Sequence, residues 1–552
     1  MITWAGIWVA LAAFSFGHAV LALVLKLGPG APRSGLERHG LALLLGLATL
    51  PAIWVAAIAM AGPLPDVVGR GLLAGAVLSG APALILSRRH RAESTETTAP
   101  PARWSIAAAL GTGLIFVWCA FAVFTTSTMP MHVFDPLYHF AYKGSLLYHE
   151  GFGTPSWMVI PEGAAGFEHY GRPITHPSYP PGIPALHAMV GQARGQFDRD
   201  ATRFLMALYL LIPAALIWSR LRGRSLGAAV TGTLLWVSLP FFYFTKTPAG
   251  YLSWGETERS YFAGWIFSPS FFLEALTGLF TGRGRFPDGW TLDGAADLPL
   301  AAFLLGSFLC LLRSLGPRGG RADIALGGLL LGGLLLTKNE GTALAAVLLT
   351  VLGGACLFGP RSAGLVQRIR GIGGLTLALA LGLALCTPWL LLRGAIPTID
   401  EDYPRAIAGV LGLGEPPPGA GELNQIPRNL DEAAARVPVV LGTFGTMSVG
   451  FLRWGLLWFA ALLAPLVYAL THLRRAHRHE SWPILGCVLG VAGLYALVLV
   501  VTPWDLAVLA NTLIPDRLML HVAPLAVLAA TEFTFLRARE RQAVAPATEP
   551  AS

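Results

Sequence analysis

The chain has 552 residues, of which 54% are hydrophobic and only 13% charged, with a mean hydropathy of +0.60. That balance excludes a soluble globular protein and points to a polytopic membrane protein. The formal net charge of +8 is accounted for by basic loops on the cytoplasmic side of a bilayer, so nucleic acid is not expected as a partner.

A helical crossing needs roughly 20 apolar residues, and thirteen segments qualify or nearly qualify. The first three are 4–25, 40–61 and 67–86. Met1 to Leu25 is apolar but lacks a basic leader and a persuasive cleavage site, so it reads as a retained helix rather than a signal peptide. After the third span comes SRRHRAESTETTAPPAR, a polar linker with a basic start, which the positive-inside rule places in the cytoplasm. Span four, 105–124, then runs outward. The remaining spans are 201–218, 226–243, 295–314, 324–336, 340–358, 373–393, 451–471, 482–501 and 517–536. On this threading SRLRGRS, RSLGPRGGR, RSAGLVQRIR, HLRRAHRHE and RARERQ all face the cytoplasm. The expected fold is an all-α polytopic membrane protein with about 11–13 transmembrane helices. Residues 1–541 form one integral-membrane domain, with extracytoplasmic loops 125–200, 244–294 and 394–450, and 542–552 form a disordered tail. The five cysteines, Cys119, Cys310, Cys356, Cys386 and Cys487, fall inside apolar runs without paired spacing, so neither a disulfide framework nor a zinc site is expected.

The first outer loop carries FDPLYHFAYKGSLLYHE, where Asp135 and Pro136 mark a helix start. From Pro136 to Glu150 the apolar Leu137, Phe140, Ala141, Leu147 and Tyr148 recur at helical spacing, with Asp135, His139, Tyr142, Lys143 and Glu150 toward another side. An amphipathic juxtamembrane helix, too short to cross, is expected there. Downstream, HYGRPITHPSYPPGIPALH supplies Arg172, His176, Tyr179 and His187 on a strap stiffened by prolines. Asp297 falls near a helix start, as an N-cap or as part of a cavity. Lys338 and Glu340 lie between two apolar runs, in a solvated turn or facing a partner. Arg517 and His521, spaced i, i+4, share a helix face and suit either a phosphate clamp or an interfacial anchor.

FDPLYHF, then HPSYPPGIPAL, ADLPLA, TKNEG and DRLMLHVAP, in that order, resemble bacterial membrane proteins of the GT-C class of glycosyltransferases. That class includes the protein O-mannosyltransferases and the aminoarabinose transferases of lipid A, and the resemblance covers residues 105–536. It implies a multi-pass enzyme of the bacterial inner (plasma) membrane. Such an enzyme takes a sugar from a polyprenyl-phosphate donor on the extracytoplasmic side and passes it to a lipid, glycan or protein acceptor. By the same resemblance Asp135 stands where the class carries its catalytic base. Two departures are plain: Pro136 follows Asp135 where many mannosyltransferases have an adjacent Asp-Glu pair, and Phe134 replaces a tryptophan. A second carboxylate, if one is needed, comes from elsewhere.

The expected chemistry is inverting transfer, with Asp135 taking the proton of an acceptor hydroxyl and His139 orienting Asp135 or touching the leaving group. Lys143, Arg172, Lys338, Arg517 and His521 are the candidate cations for the donor phosphate, and His176, Tyr179, Asp297 and Glu340 the candidate cavity lining. No metal site or cofactor is assigned, with a divalent metal left open. The alternative classes are a transporter or flippase, a ligase moving a whole polysaccharide from its lipid carrier, and a non-catalytic member of the enzyme class.

Overall fold

A computed structural model of the chain describes residues 4–28, 34–93, 105–128, 136–152, 179–239, 242, 296–316, 319–358, 365–394, 403–415, 427, 429–448, 454, 456–471, 481–502 and 513–544. Among these residues the secondary structure is helical, with no strand. The chain opens with α1 (Trp4–Leu25), α2 (Gly35–Ala61), α3 (Asp66–Glu93) and α4 (Ile106–Thr128). The Ser34 hydroxyl starts α2 by accepting the Glu37 N–H at 3.0 Å. α1 and α2 touch backbone to backbone: a Cβ on Gly17 would lie 1.7 Å from the Ala42 carbonyl oxygen, and one on Gly46 would lie 1.8 Å from that of Ala13. Only glycine permits such an approach, which is a common basis of helix association in lipid.

A π-helical turn, Pro136–Ala141, leads into α5 (Tyr142–His149), followed by α6 (Gly182–Arg194), α7 (Arg203–Arg222) and α8 (Leu226–Val237). The central group is α9 (Asp297–Ser314), α10 (Arg321–Thr337), α11 (Glu340–Phe358) and α12 (Leu365–Arg393). Then come α13 (Tyr403–Val410), α14 (Leu430–Ser448), α15 (Leu457–Thr471), α16 (Trp482–Val501), α17 (Leu513–Leu520) and α18 (Ala523–Val544). α9 is the post of the bundle, with every residue from Asp297 to Leu311 buried. By contrast α4, α12 and α15 present exposed Phe116, Leu391 and Leu470, the apolar faces a bilayer requires.

Eight of these helices are long and apolar enough to cross a membrane, or nine if one bent pair is a single span. The other segments expected to cross are also helical, but α8, α10 and α15 are shorter, at 12, 17 and 15 residues. α10 is nonetheless almost wholly buried, so its shortness is compensated by packing rather than by lipid. The bent pair is Ile514–Leu520 with Ala523–Phe535, which meet at 65°. Pro524 explains the break: it has no N–H to return to the Leu520 carbonyl, and its ring disfavours a continuous helix.

Two departures from expectation concern the loops. Residues 430–448, expected as part of a loop, form α14, with Ala433, Arg436, Val440, Thr443 and Met447 buried along one face. Arg436 donates to the Val500 carbonyl at 3.1 Å and also to that of Thr502, so it caps the C-terminus of α16. Residues 542–544, expected in a disordered tail, continue α18.

At the far end of α9, Arg313 pairs with Glu37 at the start of α2 and lies 3.9 Å from Asp323 of α10. At the same end of the bundle Arg220 of α7 bonds Glu532 of α18 at 2.7 Å, and the Ser481 hydroxyl donates to the same carboxylate. These links tie the helix ends together.

Candidate functional site

The near end of α9 gathers the charged residues singled out in the sequence. Asp297 is the first residue of α9, but Ala296 holds the cap position and makes no side-chain cap hydrogen bond. The Asp297 carboxylate turns instead to other helices. Oδ2 accepts from Arg517 Nε at 3.0 Å, and Oδ1 accepts from His521 Nε2 at 3.0 Å and lies 3.7 Å from Lys338 Nζ. Asp297 is 1% exposed, so this carboxylate survives burial only through its partners.

His521 sits where α17 gives way to α18, and its ring is completely buried. Its Nδ1 is hydrogen-bonded to the Tyr495 hydroxyl of α16. With Asp297 ionised, Nε2–H donates to it and Nδ1 accepts from Tyr495, so the partners select the tautomer. His521 thus bridges α16 and α9 through these two contacts. Tyr495 was not anticipated, because a lone tyrosine in GLYALVLVV reads as packing; its only signal is a hydroxyl that must be satisfied inside an apolar helix.

Lys338 ends α10 in extended backbone and is 7% exposed, which overturns the solvated-turn alternative. Its ammonium lies 2.6 Å from Glu340 Oε1 as well as 3.7 Å from Asp297. Burial works against its charge, but Glu340 and then Asp297 outweigh that and hold Lys338 above the ordinary lysine range.

Tyr179 joins this group to the short helix. Lys143 Nζ lies 5.5 Å from the Tyr179 ring centre, Lys338 Nζ 5.8 Å, and the His139 ring 5.8 Å. The expected helix forms from Pro136, but its polar side does not face water: Lys143 is 3% exposed and His139 7%. α5 packs against α6, where a Cβ on Gly144 would meet His187 Cβ at 2.3 Å. His187, expected as a donor, is fully buried with neither ring nitrogen hydrogen-bonded among the described residues, and burial lowers its pKa to about 3.

Eight of the eleven candidate residues are thus described, and contacts from Asp297, Lys338 and Tyr179 link them: His139, Lys143, Tyr179, Asp297, Lys338, Glu340, Arg517 and His521. Asp135, Arg172 and His176 lie outside the described residues. Beside the cluster, the Trp454 indole donates to the buried Asp516 carboxylate at 2.7 Å, which fixes the residue preceding Arg517. Among the described residues no group of three or more His, Cys, Asp or Glu could hold a metal ion, and all five cysteines are free.

No family model matches the chain, and no curated protein does. Among solved structures it is similar to the oligosaccharyltransferase of Archaeoglobus fulgidus, crystallised in complex with zinc and sulfate, at 12% identity and a TM-score of 0.41. The match covers 78% of this chain and 49% of that one, so the chain spans about half the length of the protein it resembles.

Proposed function

We propose that the protein is a membrane glycosyltransferase that moves a sugar from a polyprenyl-phosphate donor to an acceptor hydroxyl at the end of the bundle where Asp297 lies. The observation that carries this reading is the meeting of residues from five separate motifs: His139 and Lys143, Tyr179, Asp297, Lys338 with Glu340, and Arg517 with His521. Lys338, Arg517 and Lys143 are buried or nearly buried cations at one end of a membrane bundle, the place where a lipid phosphate can reach them. The motif order shared with the GT-C class supports the same reading.

In this mechanism the acceptor oxygen attacks the anomeric carbon as Asp135 takes the hydroxyl proton. The bond from that carbon to the phosphate oxygen breaks, and the polyprenyl phosphate leaves with the electron pair. One displacement inverts the anomeric centre. Asp297 is unsuited to act as the base because its oxygens are committed to Arg517, His521 and Lys338; it positions the cations. The basic connections at the other end of the bundle support a site on the extracytoplasmic side of the bacterial inner membrane. The test is Asp135→Asn in the purified, reconstituted protein: insertion and thermal stability should be unchanged and transfer from a polyprenyl-phosphate sugar abolished. Near-normal turnover removes Asp135 from the mechanism.

One observation favours a second reading. The bent pair α17 and α18, broken at 65° beside buried charges, is the kind of discontinuous helix that transporters use at their sites. A transporter or flippase would move a lipid-linked sugar across vesicles without forming a new glycosidic bond, so product analysis of the same assay separates the two.

A further inference from the structure

Glu340 opens α11, and only one of its carboxylate oxygens is accounted for. Oε1 takes the Lys338 ammonium at 2.6 Å. Oε2 is enclosed by the protein and has no hydrogen-bond donor among the described residues. The side chain as a whole keeps 24% exposure, so this oxygen lies close to an opening and not in a sealed core. A carboxylate oxygen out of water without a donor is costly, and native structures satisfy such atoms with a protein donor, an ordered water or a bound group. The neighbourhood restricts what that group can be. A metal ion or second ammonium would stand against Lys338, whose charge occupies the other side of the same carboxylate. A neutral O–H brings no charge.

The hydroxyl also fits the pair of groups. Its proton goes to Glu340 Oε2 while its oxygen accepts an N–H of Lys338, which has three to give. The Tyr179 ring, 5.8 Å from Lys338 Nζ, supplies an aromatic wall beside them. A phosphate would satisfy Lys338 but would be repelled by Oε2. A sugar hydroxyl satisfies both.

We infer that Glu340 and Lys338 form a subsite that reads a hydroxyl group of the sugar on the donor, with Glu340 Oε2 as the acceptor. This rests on the proposed function for the identity of the donor. It separates two tasks within one cluster: Arg517 and Lys143 face the phosphate, and Glu340 reads the sugar.

The experiment measures binding of the full-length protein, in lipid nanodiscs, to undecaprenyl phosphate and to undecaprenyl phosphates bearing mannose, glucose or arabinose. Wild type should bind at least one sugar-bearing lipid more tightly than the bare lipid. Glu340→Ala should weaken that lipid, relative to its effect on the bare lipid, by about tenfold to a hundredfold, the range for a hydrogen bond to a charged group. Glu340→Gln should weaken it too. Its amide oxygen stays on Lys338, so its NH2 replaces the acceptor with a donor; a matching thermal-unfolding midpoint shows that the variant is folded. Equal weakening of both lipids would make Glu340 only a counter-ion of Lys338 and overturn the inference. So would unchanged binding of both, or a wild type that prefers no sugar-bearing lipid while still binding the bare one. A wild type that binds none of the four overturns the donor assignment as well.

Discussion

α9 carries a polar cluster at each end, about 24 Å apart by its rise per residue, and the two are built differently. At the Arg313 end acids gather around arginines: Glu37 and Asp323 stand by Arg313, and Glu532 by Arg220, the last also fixed by Ser481. At the Asp297 end one carboxylate serves Arg517, Lys338 and His521 together, Lys338 is divided between two acids, and Glu340 Oε2 has no donor among the described residues. Buried polar atoms without a hydrogen bond among the described residues occur at both ends, so spare capacity is not what separates them. What differs is the sign at the centre: arginines hold the Arg313 end together, whereas a single carboxylate gathers three basic side chains at the other.

Substitutions at the two ends should separate these roles. The largest effect is expected for Asp297→Ala, which leaves buried cations without their shared anion; removing one partner of a buried pair costs about 3–5 kcal/mol. Thermal unfolding should shift strongly downward, and binding of undecaprenyl phosphate should fail even in molecules that remain folded. An intact binding constant would show that Asp297 does not position Lys338 and Arg517. A middle effect, about 1–3 kcal/mol of stability once the partial exposure of Arg220 is allowed for, is expected for Glu532→Gln. Transfer per folded molecule should be unchanged there, and a loss of turnover without a loss of stability would blur the distinction between the ends. The smallest effect belongs to Tyr495→Phe, which removes one hydrogen bond to His521 and costs about 1 kcal/mol. Its signature should be weaker donor binding with normal insertion, and no change in either quantity would take Tyr495 out of the site.

How much of this was legible in the sequence depended on where each residue stood. Asp297, Lys338 and Arg517 are charges at the edges of apolar runs, a context in which charge requires a partner, so they could be singled out without coordinates. Which of them would meet was not legible, because the contacts span more than two hundred residues, as from Asp297 to Arg517. The short helix was visible from Asp135-Pro136 and its periodicity, but its burial was not: Lys143 reads as a water-facing residue until α6 and Tyr179 are in place. α14 was missed for a local reason. Pro438, Gly442 and Gly445 look like loop punctuation, whereas the spacing of Ala433, Arg436, Val440, Thr443 and Met447 is that of a helix with one packed side.

Gly144 shows how an absent atom can govern a present charge. With no methyl group there, α5 nests against His187 and Pro184 at a separation that no other residue would allow. Lys143 precedes it directly, so the berth of that ammonium beside Tyr179 is set by a vacancy on the next residue along the chain. Any side chain at position 144 would push α5 away from α6 and carry Lys143 off Tyr179, so this residue governs the cluster without touching it.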